Sequence, residues 1–203
     1  MPNQISKARD ILIATSTLVD KKFLAQRQLI NFHEFMERHE YELALDSLIE
    51  LSDEVEDRFT YEFWLNLDKA AGLMELTHIQ EIIKNKISDF WFNQAKNFSL
   101  KEKEIEAEIQ FLTTEEGGRS SFIYSGYRGT FHYDGQYNSA AQEFIGQVKC
   151  YPGNIVNAYM AFAAPEAQIG RLYEGLIFDI TEGARIVAHG TILKIFRKDL
   201  VKT

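Results

Sequence analysis

The chain holds a single cysteine, Cys150, in 203 residues. One thiol cannot close an internal disulfide, and a reducing cytoplasm is the expected setting. Prolines are almost as scarce, three in all, with none from Asn3 to Tyr151. Helices in that span must therefore be ended by caps rather than by proline stops. No apolar run approaches the roughly 20 residues that a membrane-spanning helix needs. No basic segment followed by an apolar stretch opens the chain as a signal peptide would, so we expect no membrane association. Catalytic signatures are equally thin. There is no Gly-x-x-x-x-Gly-Lys-Ser/Thr phosphate loop and no Gly-x-Ser-x-Gly elbow. The five histidines, His33, His39, His78, His132 and His189, have no metal-binding spacing; His33-Glu34 begins like a zinc helix, but Glu37 stands where the second histidine is needed. We expect no enzyme, no metal, no cofactor and no GTP binding.

What is present suits packed globular structure. Hydrophobic residues make up 45% of the chain, enough for one large core or two small ones. The net charge is −8, and residues 1–100 carry 17 Asp or Glu against 11 Lys or Arg. Nucleic-acid backbones are bound through clustered Lys and Arg, so this acidity favours basic protein partners over RNA.

The first half has helical periodicity. Ile5, Ala8, Leu12, Thr15 and Val19 share one face of a helix over 4–19. Phe23, Leu29, Phe32, Phe35 and Met36 form a stripe over 23–38, and Tyr41, Ala44, Leu45, Leu48 and Val55 another over 40–55. Asp57 to Thr60 breaks the pattern. Thr60 is the expected N-cap of a helix ending at Ala71, with Gly72 as its stop. The last helix opens on Thr77 and Gln80 at capping-box spacing. It carries Ile79, Ile82, Ile83, Ile87, Phe90 and Trp91 on one face, with Phe92 and Phe98 off or beyond it. The period changes from 3.6 to 2 near Asn97 to Lys101. We place the boundary there: residues 1–99 an all-helical bundle, 100–203 an antiparallel β-barrel.

The second half begins with strict alternation, Ile105, Ala107, Ile109 and Phe111 on one side and polar residues between them. Gly117-Gly118 breaks this strand, leading into Glu115 to Arg128, with Arg119 and Arg128 flanking Phe122-Ile123-Tyr124. Further strands are expected over Thr130–Tyr133, Phe144–Cys150, Ile155–Ala163, Leu176–Ile180 and Ala184–Ile195. Asp134 to Ser139 and Tyr151 to Asn154 read as turns, and Gly183 turns the last hairpin.

The Glu-Gly-Gly-Arg turn, the Gly126-Tyr127-Arg128 segment, Pro152-Gly153-Asn154, Ala164-Pro165 and Thr181-Glu182-Gly183-Ala184-Arg185 occur here in the order found in the third domain of bacterial elongation factor Tu. Residues 103–196 resemble that domain, which implies a closed antiparallel barrel. In the family, the loop matching Thr181–Arg185 lies against the T-stem of tRNA. Glu182 and Gly183 match its glutamate and first glycine, whereas Thr181 stands where the family usually has Arg and Ala184 replaces its second glycine. Ala164 stands where the family often has Lys or His. By this resemblance Arg119, Arg128, Glu182, Gly183 and Arg185 are the candidate binding residues.

The segment His39 to Leu48 resembles a motif of small helical bacterial immunity proteins, which neutralise toxins; a generic helical bundle accounts for it as well. The expected function is non-catalytic protein binding in the cytoplasm, with a toxin or a translation component as partner. The alternative is a translation accessory protein that binds tRNA or ribosomal RNA through the barrel.

Overall fold

The computed structural model describes residues 2–55 and 59–202. Five helices precede a closed six-stranded antiparallel β-barrel, the α-then-β architecture expected from the change of period. The chain divides into two compact units, Met1–Phe90 and Trp91–Thr203.

The first unit holds α1 (Pro2–Ser16), α2 (Arg27–Glu37), α3 (Tyr41–Glu54), α4 (Tyr61–Leu73) and α5 (Thr77–Lys96) as far as Phe90, the end of α5 falling in the second. Helix α1 packs on α4, and α2 on α3. Leu12, Leu29, Phe32, Ala44, Leu45, Leu48, Phe63, Leu67 and Ile83 form its buried centre. All but Phe63 and Leu67 are residues that the 3.6-residue period places on common faces. The period overreaches at the edges: Ile5, Ile82 and Trp91 are exposed, because an apolar stripe wider than the neighbouring helices can cover leaves its margins in water.

Helix ends show what sequence spacing resolves and what it does not. Thr60 caps α4 as expected, its hydroxyl accepting the Phe63 N–H at 3.2 Å. Asp57 and Arg58, expected to break the preceding helix, lie outside the described residues. Gly72 is not a stop but sits inside α4, facing the amide of Gln80 on α5; a Cβ there would lie 3.0 Å from it. Glu75 takes the left-handed position instead, at φ 62°. Its N–H bonds the Gly72 carbonyl and that of Leu76 bonds Ala71, a Schellman closure. Helix α2 ends the same way at His39, also at φ 62°, with Glu40 N–H on Phe35. The expected capping box at Thr77 and Gln80 is replaced by other bonds. Thr77 N–H goes to Glu75, and the Gln80 amide donates to Asp68 of α4 at 3.3 Å.

The barrel strands are β1 (Ile105–Phe111), β3 (Arg128–Tyr133), β4 (Gln136–Phe144), β6 (Ile155–Phe162), β7 (Ile177–Glu182) and β8 (Arg185–Ile195). They are ordered β1-β6-β4-β3-β7-β8 and closed by β8 on β1. A two-stranded ribbon pairs β2 (Ile123–Tyr124) with β5 (Lys149–Cys150). The alternation of β1 is reproduced in full: Ile105, Ala107, Ile109 and Phe111 face the core. Phe131, Phe162 and Phe178 fill the interior, with Phe131 and Phe178 centroids 4.4 Å apart. Cys150 joins this core, where burial pushes its thiol up to about 11.

Two strands differ most from the sequence reading. Tyr137 to Ser139 belong to β4 rather than to a turn, because Asp134 and Gly135, at φ 50° and 69°, alone complete a two-residue hairpin between β3 and β4. The expected strand Phe144–Cys150 is interrupted at Gly146, φ 75°: Phe144 ends β4, paired with Ala158, and Lys149–Cys150 pairs separately in the ribbon. Gly183, φ 60°, turns the β7–β8 hairpin as expected.

Candidate functional site

Three polar arrangements stand out on the barrel. The first gathers most of the residues singled out by sequence. The β7–β8 hairpin pairs Glu182 with Arg185 across Gly183-Ala184, and Arg185 donates to the Glu182 carboxylate at 2.8 Å. Tyr127 donates its hydroxyl to the same carboxylate at 3.0 Å, and the Arg119 guanidinium pairs with it as well. The guanidinium carbon of Arg119 also lies 5.7 Å from the centre of the Tyr127 ring. Burial acts to raise the Glu182 carboxyl, but the bonds from Arg185, Tyr127 and Arg119 outweigh it and hold the group below the usual carboxylate range. Burial, reinforced by Glu182, drives the Tyr127 phenol well above its ordinary value.

Arg119 reaches Glu182 because of the turn before it. Gly118 N–H bonds the Thr113 carbonyl at 2.8 Å. Thr113, through its N–H and hydroxyl, donates twice to Glu116, at 2.9 and 3.0 Å. A Cβ on Gly118 would sit 2.2 Å from the Leu112 carbonyl oxygen, so this approach is open only to glycine. Glu116, exposed to water, thus closes the turn.

Arg128 is not part of this cluster. At the start of β3 it pairs in register with Ala141 of β4, and Ala141 with Ala161 of β6. Over this row runs the segment Phe98–Glu104, pinned by Glu143. That carboxylate accepts Leu100 N–H at 2.7 Å and Lys103 Nζ at 2.8 Å. Burial acts to raise Glu143, but the bonds from Lys103 and Leu100 prevail and its pKa is lowered. Phe98 rests on Gly126, whose Cβ would lie 3.1 Å from the ring; Phe92 is exposed. Glu104, 4% exposed, accepts Phe162 N–H at 2.6 Å and Arg197 Nη1 at 3.2 Å, and Arg197 Nε binds Asp199 at 2.9 Å. Phe98, Leu100, Glu104, Arg128, Ala161 and Arg197 are among the residues that border a cleft of about 490 Å³.

The third arrangement was not visible in the sequence. Strand register sets Tyr137, His132, Asp179, His189 and Gln110 in one row across five strands. His189 Nδ1 lies 2.8 Å and His132 Nδ1 3.5 Å from the two oxygens of Asp179. The exposed Tyr137 ring stacks on His132, with centroids 4.3 Å apart. Only the pairing of β3, β7 and β8 joins His132, Asp179 and His189, which lie up to 57 positions apart; no local spacing could have indicated them.

No protein-family model matches the chain. Among the described residues, no three His, Cys, Asp or Glu are placed to hold a metal ion, and no helix is long and apolar enough to cross a membrane.

Proposed function

We propose that this chain is a non-catalytic binding protein: an immunity-like, protein-interaction factor that carries a translation-factor-like barrel. One observation carries this reading. The polar cluster that the elongation factor resemblance would assign to RNA is spent on itself, with Arg119, Tyr127 and Arg185 all directed to Glu182. Phosphate recognition needs cations that can be directed outward, so the closure counts against the alternative, a translation accessory protein holding tRNA or ribosomal RNA.

The helical unit supplies a surface of the opposite sign. Glu42, Asp46 and Glu50 follow one another at four-residue spacing along α3. Burial, followed by repulsion from Glu42 and Glu50, raises the pKa of Asp46. Like charges at this spacing cost a few tenths of a kcal/mol per pair in a helix, a cost that a basic partner would offset.

Affinity purification of the tagged full chain, compared with a Glu42→Gln, Asp46→Asn, Glu50→Gln variant, tests the reading. A single basic protein retained in stoichiometric amount by the wild type, and lost from the variant or at high salt, is expected. Recovery of RNA in place of protein, or equal retention by the variant, would overturn it.

A further inference from the structure

The two arginines retained on either side of the Phe122 to Tyr124 segment are in opposite states. Arg119 is paired and partly buried, whereas Arg128 is exposed and makes no ion pair or side-chain hydrogen bond among the described residues. Arg128 borders the space of about 490 Å³ between the Phe98–Glu104 segment and the outer face of β3, β4 and β6. The space is an open cleft rather than an enclosed cavity, and its volume falls within the range of small-molecule sites.

The lining limits the chemistry. The floor is made by the methyl groups of Ala141 and Ala161, and Phe98, Leu100 and Pro165 add apolar walls. Five charged residues border the space: Lys101, Arg128 and Arg197 against Glu102 and Glu104. Arg197 is already held by Glu104 and Asp199, and the Glu104 carboxylate also takes Phe162 N–H. The five lining residues sum to a single positive charge, and with Arg197 held by Glu104 and Asp199, Arg128 is the lining guanidinium that no carboxylate holds. A phosphate dianion would face two carboxylates with too little compensation, while a monoanion would be balanced. A guanidinium fork suits a planar carboxylate best, because two parallel N–H···O bonds can form.

We propose that this cleft is a binding site for a carboxylate borne on an apolar group of roughly aromatic size, with Arg128 as its anchor. The source of such a group is either a free small carboxylic acid or the C-terminus of a peptide chain ending in an apolar residue. The site is independent of the acidic α3 surface invoked for protein binding, so either can fail alone. Its charge, unlike that of the Glu182 cluster, is left unspent by the fold.

The probes are N-acetylphenylalanine, its primary amide, and a pentapeptide ending in phenylalanine with either a free or an amidated C-terminus. Each is titrated into the isotope-labelled full chain while backbone amide shifts are followed. The free carboxylates should produce saturable shifts at Ala141, Ala161 and Gly126, and the amides should bind at least about tenfold more weakly. Arg128→Gln should weaken carboxylate binding by a similar factor while leaving shifts elsewhere unchanged. Ala161→Leu, which fills the floor, should abolish it. Peptide binding tighter than that of N-acetylphenylalanine assigns the site to a chain terminus, and equal binding assigns it to a free acid. Equal affinity for acid and amide, no effect of Arg128→Gln, or no saturable shift at millimolar probe would overturn the proposal.

Discussion

Arg119 and Arg128 stand nine residues apart in one turn-rich segment, yet the barrel treats them differently. Arg119 is drawn inward to Glu182, its Nε buried without a hydrogen-bond partner. Arg128 begins a strand on the outer wall and stays exposed. The difference does not lie in residue type. It lies in what the neighbouring backbone permits: Gly118 brings the chain against Leu112 and delivers Arg119 to the β7–β8 hairpin, while the alternation of β3 turns Arg128 away from the core. A charge that is enclosed must be compensated, and one that remains in water need not be. Arg119 is therefore expected to act in stability, which leaves Arg128 for the binding role proposed above.

The sharpest way to break this contrast is to block the approach at Gly118. Gly118→Ala places a methyl carbon into the Leu112 carbonyl, where backbone rather than a flexible side chain must move. We expect a loss of about 3 kcal/mol. Gly117→Ala is the comparison, since space there is open and only its positive φ of 88° is strained. It should cost about 1–2 kcal/mol. Hydrogen exchange of the β7 and β8 amides reports on the barrel directly; equal losses for the two variants would show that steric approach at Gly118 is not what positions Arg119.

These two glycines also mark the limit of what the sequence discloses. A glycine pair after an alternating strand announces a turn, but not that one member serves conformation and the other proximity. The same division recurs along the chain. The faces of α2 and α3 and the whole of β1 were legible, because burial has the period of the element itself. Gly72 was misleading, because a glycine that admits the neighbouring Gln80 looks like one that ends a helix. Glu182 and Arg119 lie 63 residues apart, and their meeting depends on barrel closure. The sequence singles out both residues, but not that they pair with one another. Glu104 and Arg197, 93 apart, gave no signal at all. Residues joined by register alone become visible only when the strands are ordered.

Removing the compensating charge is the next test. Glu182→Gln keeps the shape but leaves Arg119 without its anionic partner, and the loss should be about 2 kcal/mol, less than for a fully buried pair because both side chains are 28% exposed. The pH dependence follows from the same carboxylate. Its folded pKa lies below the ordinary glutamate value of 4.5, so its contribution is present above pH 4.5 and disappears as pH falls through the lower folded value. Glu116 and Glu143 are lowered as well, so total stability falls in the same acidic window. The difference between wild type and Glu182→Gln isolates the cluster. It should be constant from neutral pH down to about 5 and shrink below 4.5. A difference that persists undiminished in acid would mean that the carboxylate's charge does not hold Arg119.

The smallest expected effect lies at Arg128, and its smallness is the point. The side chain is exposed, makes no ion pair or side-chain hydrogen bond among the described residues, and sits on a strand whose pairing is carried by backbone. Truncation at such a position ordinarily changes stability by less than about 0.5 kcal/mol. Arg128→Gln should therefore leave the exchange protection of β3 and β4 unchanged, whereas Arg119→Gln, which strips a cation from the Glu182 cluster, should lower protection in β7 and β8. Two arginines from one short segment, given the same substitution, would then separate cleanly into one that the barrel needs and one that it does not. If Arg128→Gln proved as costly as Arg119→Gln, Arg128 would have to be counted as structural, and the open charge beside the Ala141–Ala161 floor would lose its reason to be there.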